Sequence, residues 1–167
     1  MFRTYTPVLA CVALAIGGCG GDDDGSSPGG SNPPAEKRLT KTEYVAQANR
    51  ICKDTEIAQE TFDDRIDKLD RGDLPAAAPI LEDALETTRE GYDRLKALSP
   101  PAADQAQVDA YLAAVQRLLT SLDKLTAAAR DDDRAAGRRA VAEGEKHDDE
   151  QEPLAERLGI DNCVDVF

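Results

Sequence analysis

The chain has 167 residues, with 20 Lys and Arg against 33 Asp and Glu, a net charge of −13. That length suits one domain, and 41% apolar residues suffice for a core, but 4% aromatics without Trp argue against an aromatic-lined nucleotide or sugar site. The acidic balance argues against nucleic acid as a partner and against electrostatic docking on anionic lipid.

Residues 1–18 read as a lipoprotein signal peptide, separate from the fold. Arg3 supplies the positive start, and Pro7 to Ile16 is an apolar run too short to span a bilayer. It closes on Ile16-Gly17-Gly18-Cys19, an aliphatic residue, two small residues and a Cys. This resembles a bacterial lipobox, with Gly17 where Ala or Ser is more usual. The Cys19 thiol would take a diacylglyceryl group and become the new N-terminus, and two acyl chains suffice for stable anchoring. An ordinary secretory signal with a chance Cys is the alternative. Residues 19–38 then form the lipidated Cys and a flexible tether, since Gly20 to Pro34 holds only Gly, Asp, Ser, Asn and Pro. The Asp22–Asp24 run lacks the ligand spacing and closing Glu of a calcium loop.

The folded part, residues 39–167, reads as four helices. Thr40-Lys41-Thr42-Glu43 is a capping box, with Leu39 and Tyr44 as a hydrophobic staple. Tyr44, Ala48, Ile51, Thr55, Ala58, Phe62, Ile66 and Leu69 follow at steps of three and four, one helix face, and Gly72 suits the stop. The second helix is expected from about Asp73 to Leu98, with the stripe Leu74, Ala77, Leu81, Ala84, Thr88, Tyr92, Leu95, Leu98. Pro75 is tolerated in the first turn, while Pro79 predicts a kink or a later start. Ser99-Pro100-Pro101 forces a break. The third helix, about Ala102 to Arg130, is the most apolar, with Val108, Leu112, Val115, Leu119, Leu122 and Thr126 on one face. Asp131-Asp132-Asp133 supplies a turn and an N-cap. The fourth, about Asp133 to Leu158, has the weak face Gly137, Ala140 or Val141, Gly144, His147, Gln151, Leu154, Leu158, and Pro153 is expected to bend or interrupt it. Gly159 ends it, and Ile160–Phe167 is a tail.

The fold class expected is all-α, an antiparallel up-down four-helix bundle. A three-helix bundle with a loosely docked fourth helix is the alternative. Of the four Cys, Cys11 leaves with the signal and Cys19 is lipidated. Cys52 and Cys163 remain as an even pair in an oxidising compartment, and a disulfide between them is expected. Free thiols are the alternative; the spacing is not that of a redox-active pair.

The segment Leu39-Thr40-Lys41-Thr42-Glu43-Tyr44-Val45-Ala46-Gln47-Ala48-Asn49-Arg50-Ile51-Cys52, the Ala-rich helices and Leu158-Gly159-Ile160-Asp161-Asn162-Cys163 together resemble small secreted lipoproteins of high-GC actinobacteria. That resemblance covers nearly the whole chain after the signal. Pro79, Pro153 and the acidic, weakly apolar fourth helix depart from the pattern. The resemblance implies an envelope location and carries no catalytic residues.

His147-Asp148-Asp149-Glu150 spreads its side chains around a helix, so no metal site is expected. Arg71-Gly72-Asp73 is read as a helix stop and an N-cap, with an adhesive role as the minor alternative. Tyr44, Phe62, Tyr92 and Tyr111 are read as core, with a small pocket between helices as the alternative. With one His no triad can be argued, and no catalytic residue or cofactor is expected. The functional expectation is a non-enzymatic domain on the extracytoplasmic face of the cell membrane, lipid-anchored at Cys19. It would act by contact with an envelope protein or as a structural component. The alternative is a binding module for a small apolar ligand or a divalent cation.

Overall fold

The computed structural model describes residues 38–70, 73–164, 166 and 167. Cys19 with its lipobox, the tether up to residue 37, and Arg71 and Gly72 lie outside the described residues. Four helices follow in order, α1 Lys41–Ile66, α2 Leu74–Lys96, α3 Gln105–Arg130 and α4 Arg134–Leu158, then a 3-10 turn, Asp161–Cys163. No strand occurs among the described residues.

The starts are set locally. Thr40 N–H donates to Glu43 Oε2 at 2.8 Å, and Glu43 N–H donates to Thr40 Oγ1 at 3.3 Å, the reciprocal pair of a capping box. Asp73 accepts from Ala76 N–H, and Asp133 from Ala135 and Ala136 N–H. The stops of α3 and α4 share one geometry. Asp132 takes a left-handed φ of 51° and Gly159 one of 74°. In each case the next N–H reaches back across the turn, Asp133 to Ala128 O at 2.9 Å and Ile160 to Ala155 O at 3.1 Å.

Several boundaries and faces differ from the sequence reading. The first helix ends at Ile66, leaving Leu69 in the turn, where its N–H donates to Ile66 O at 3.0 Å. The third starts at Gln105, after a turn. Neither Pro79 nor Pro153 interrupts its helix. Both prolines, and the residues four before them, Pro75 and Asp149, are exposed. Water can therefore take each carbonyl that a proline leaves without a donor. The first half of α2 buries Ala78, Ile80 and Leu85, while Ala77, Leu81 and Ala84 are half-buried. The face is thus rotated by about one residue from the expected stripe. On α4 the buried residues are Gly137, Ala140, Gln151, Ala155 and Leu158, and Val141 is 45% exposed. The fourth helix packs along α3, so it is not loosely docked.

The core runs through Tyr44, Ala48, Ile51, Leu95, Val108, Tyr111, Val115 and Leu158. The tail completes it: Ile160, Cys163, Val166 and Phe167 are buried. The Sγ atoms of Cys52 and Cys163 lie 1.99 Å apart, at disulfide-bonding distance. Around them Asn49 Oδ1 accepts from Asn162 N–H at 2.9 Å, and the Tyr111 hydroxyl donates to Cys163 O at 3.4 Å. The tail thus packs on α1 and α4 as an extra element. Ion pairs lace neighbouring helices: Arg94–Asp54 and Arg65–Asp83, Arg89–Asp123 and Arg130–Glu82, Arg117–Glu150 and Lys124–Glu143. Their side chains are roughly half exposed, so each contributes at most about 1 kcal/mol.

Candidate apolar groove

The small residues of α4 decide where the packing fails to close. Gly137, Ala140 and Gly144 face α3 where longer side chains would fill the space, and α1 and α4 are bridged by the tail. Beyond the tail a groove of about 390 Å³ opens. Its α3 wall is Leu118, Ser121, Leu122 and Leu125, and its α4 wall is Ala140, Val141, Gly144, Glu145 and Asp148. Gln59 of α1 and Phe167 close one side. A second groove of about 480 Å³ shares Leu125, Val141 and Glu145 with the first, and continues past Gly137 to Leu74, Arg134 and Arg138. On the inner side of Gln59 and Leu122 lies a void of about 200 Å³ among Phe62, Leu85, Thr88 and Thr126. The two larger spaces fall in the size range of small-molecule sites and are mostly apolar, with few polar groups.

Those polar groups are held in place by the backbone. Gln59 Nε2 donates to Thr88 Oγ1 at 3.1 Å and to Val166 O at 3.0 Å, tying α1 to α2 and to the tail. The Thr88, Ser121 and Thr126 hydroxyls each donate to the carbonyl four residues back. Gln151 is fully buried, and its Nε2 donates to Asp148 Oδ1 and to Phe167 O, both at 2.7 Å. Its Oε1 has no partner. Turning the amide over would not help, because both neighbours are acceptors.

The aromatic residues singled out in the sequence do not share this site. Tyr44, Tyr92 and Tyr111 are buried core residues, and Phe62 borders the smaller void. Burial, with the charge of Asp104 adding, pushes the Tyr44 phenol up to about 12. Burial likewise raises Tyr111. Both phenols stay protonated and pack in the core, and Tyr111 also donates to Cys163 O. Along His147-Asp148-Asp149-Glu150 the side chains part company. His147 Nδ1 lies 3.4 Å from Glu150 Oε2, and Asp148 turns to Gln151. Among the described residues no three His, Cys, Asp or Glu gather around one point. No described helix is long and apolar enough to cross a membrane. Asp73 caps α2 as expected.

The groove itself was missed in the sequence. Its one local signal is Gly137 and Gly144, two glycines about two turns apart on one face of a helix interior, where each costs about 0.5–1 kcal/mol relative to Ala. No family model matches this chain, and no curated protein or solved structure is similar enough to count as a match.

Proposed function

We propose that this is a lipid-anchored, extracytoplasmic binding domain without catalysis, whose site is the groove between α3 and α4. The observation that carries the binding half is an apolar groove with backbone-held polar groups. The anchoring half is carried by Ile16-Gly17-Gly18-Cys19 and the polar tether behind it. In this reading the domain, which resembles small secreted lipoproteins of high-GC actinobacteria in sequence, holds a ligand or a partner's apolar side chain near the membrane surface. An antiparallel up-down order suits this scaffold. It is supported by the ion pairs, in which residue numbers rise on one helix as they fall on its neighbour: 54 with 94 and 65 with 83, 82 with 130 and 89 with 123, 117 with 150 and 124 with 143.

The test is binding of the neutral apolar dye N-phenyl-1-naphthylamine to the oxidised chain from residue 20 onward, which keeps the whole unit Ala35–Phe167. Saturable fluorescence enhancement is expected, and Val141→Asp should weaken it without changing the far-ultraviolet dichroism, because Val141 is outside the core. Absence of a saturable signal, or one indifferent to Val141→Asp, rejects the groove as the site.

A further inference from the structure

We propose that the groove takes a cationic amphiphile, with its apolar chain along Leu125, Val141 and Gly144 and a protonated amine at Asp148 and Glu145. This rests on the groove being the binding site, and adds the class of ligand and its direction.

Charge sets the direction. Asp148 lines the part of the groove nearest the tail and Glu145 the stretch shared with the second groove, and no cationic side chain lines that first part. The far part carries Arg134 and Arg138. A cationic head therefore belongs at the Asp148 end, with its chain running toward Gly137. Eleven helical residues separate those positions, about 16 Å at 1.5 Å per residue, a length that a dodecyl chain approaches. The net charge of −13 draws cations and repels anions at long range.

Hydrogen bonding points the same way. Asp148 and Phe167, both of which line the groove, offer two acceptors, Asp148 Oδ1 and Phe167 O, that share the single amide NH₂ of the buried Gln151. The cluster lacks donors, and an ammonium group brings three.

The glycines supply an independent argument. A Cβ on Gly144 would sit 3.6 Å from Leu118 Cδ1 and 3.8 Å from Ser121 Cβ, and one on Gly137 would sit 3.9 Å from both Ala128 Cβ and Leu125 Cδ1. These are ordinary contacts, and neither glycine has a positive φ. Packing and backbone would both accept Ala, which favours the helix. What glycine preserves at both positions is the width of the groove.

The experiment is displacement of bound N-phenyl-1-naphthylamine from the oxidised chain from residue 20, below micelle-forming concentrations, by dodecylammonium and by dodecanoate. Dodecylammonium should displace the dye at roughly tenfold lower concentration, about 1.4 kcal/mol of preference. The pair Glu145→Gln with Asp148→Asn should abolish that preference while the dye still binds; Asn keeps an acceptor for Gln151, so the fold is retained. Gly144→Ala should raise the melting temperature yet weaken dye and amine together. Equal displacement by the two amphiphiles, preference for dodecanoate, or a preference that survives the double substitution overturns the cationic assignment and leaves the groove standing. Undiminished binding in a stabilised Gly144→Ala removes the glycine argument and counts against the chain path. A chain that binds no dye at all defeats both readings.

Discussion

Gly91 shows how one missing side chain can hold two helices and the tail together. A Cβ there would collide with Thr55 Oγ1 and lie 3.1 Å from Thr55 Cγ2 and 3.3 Å from Phe167 Cε1. Thr55 is buried, and its hydroxyl is committed to Ile51 O at 3.0 Å, so it cannot easily swing away. Gly91→Ala is expected to destabilise the domain by about 1–3 kcal/mol, the usual range for overpacking. A thermal melt checks this; an unchanged or raised midpoint contradicts the close approach. Nothing in the sequence around Gly91 announces it, because the need lies in α1 and the tail. By contrast Thr40, Asp73, Asp133 and Gly159 are legible one by one. Their partners are within five residues, and local chemistry settles their role.

Among the elements, α4 depends most on its surroundings. Three of its carboxylates, counting its N-cap, are held low. Asp133 is stabilised by the N–H of Ala136 and then of Ala135, Glu143 by a hydrogen bond and charge from Lys124, and Glu150 by hydrogen bonds from Arg117 and then His147. Lowered values mean that the unfolded chain binds more protons, so the stabilisation is present above the ordinary carboxylate range and is lost as pH falls through the folded values. Hydrogen exchange on acidification should show α4 opening before α3. Simultaneous opening would contradict it.

The tail matters as much. The cross-link spans 111 residues, and for a loop of about 100 residues the chain-entropy figure is about 4.7 kcal/mol, an upper bound. Cys163→Ser should lower the melting temperature and release first residues 160–167 and then the second half of α4, with α3 still protected. Unchanged exchange there would show that packing alone holds the tail. The four helices were legible from apolar periodicity and caps. The finer faces were not, because Ala recurs on every side of α2 and α4 and blurs the stripe. The prolines misled because their cost depends on exposure, which the sequence does not display. The tail read as an appendage, since eight residues have no period; only Ile160, Cys163, Val166 and Phe167 together make it part of the core.

At the scale of the molecule, the proposal is a helical bundle with an open side, anchored through Cys19. Cys19→Ala should abolish incorporation of labelled palmitate and move the protein out of the detergent phase; retained label would refute the anchor. The proposed anchor rests on a contiguous motif, Ile16 to Cys19, that lies outside the described residues. The groove was not legible in the sequence, because it is made of what is missing: side chains that Gly137, Ala140 and Gly144 lack, on a helix whose partner across the gap lies about eighty residues earlier at Gln59. Tyr44, Tyr92 and Tyr111 are buried in the core and line none of the described grooves. The most direct measurement is therefore an amide chemical-shift map of the isotope-labelled chain titrated with N-phenyl-1-naphthylamine. The account predicts shifts confined to Gln59, Leu118–Leu125, Gly137–Asp148 and Phe167, the residues along the groove, while the amides around Tyr44, Tyr92 and Val108 stay still. Shifts centred on those tyrosines, or scattered evenly over the surface, would contradict it.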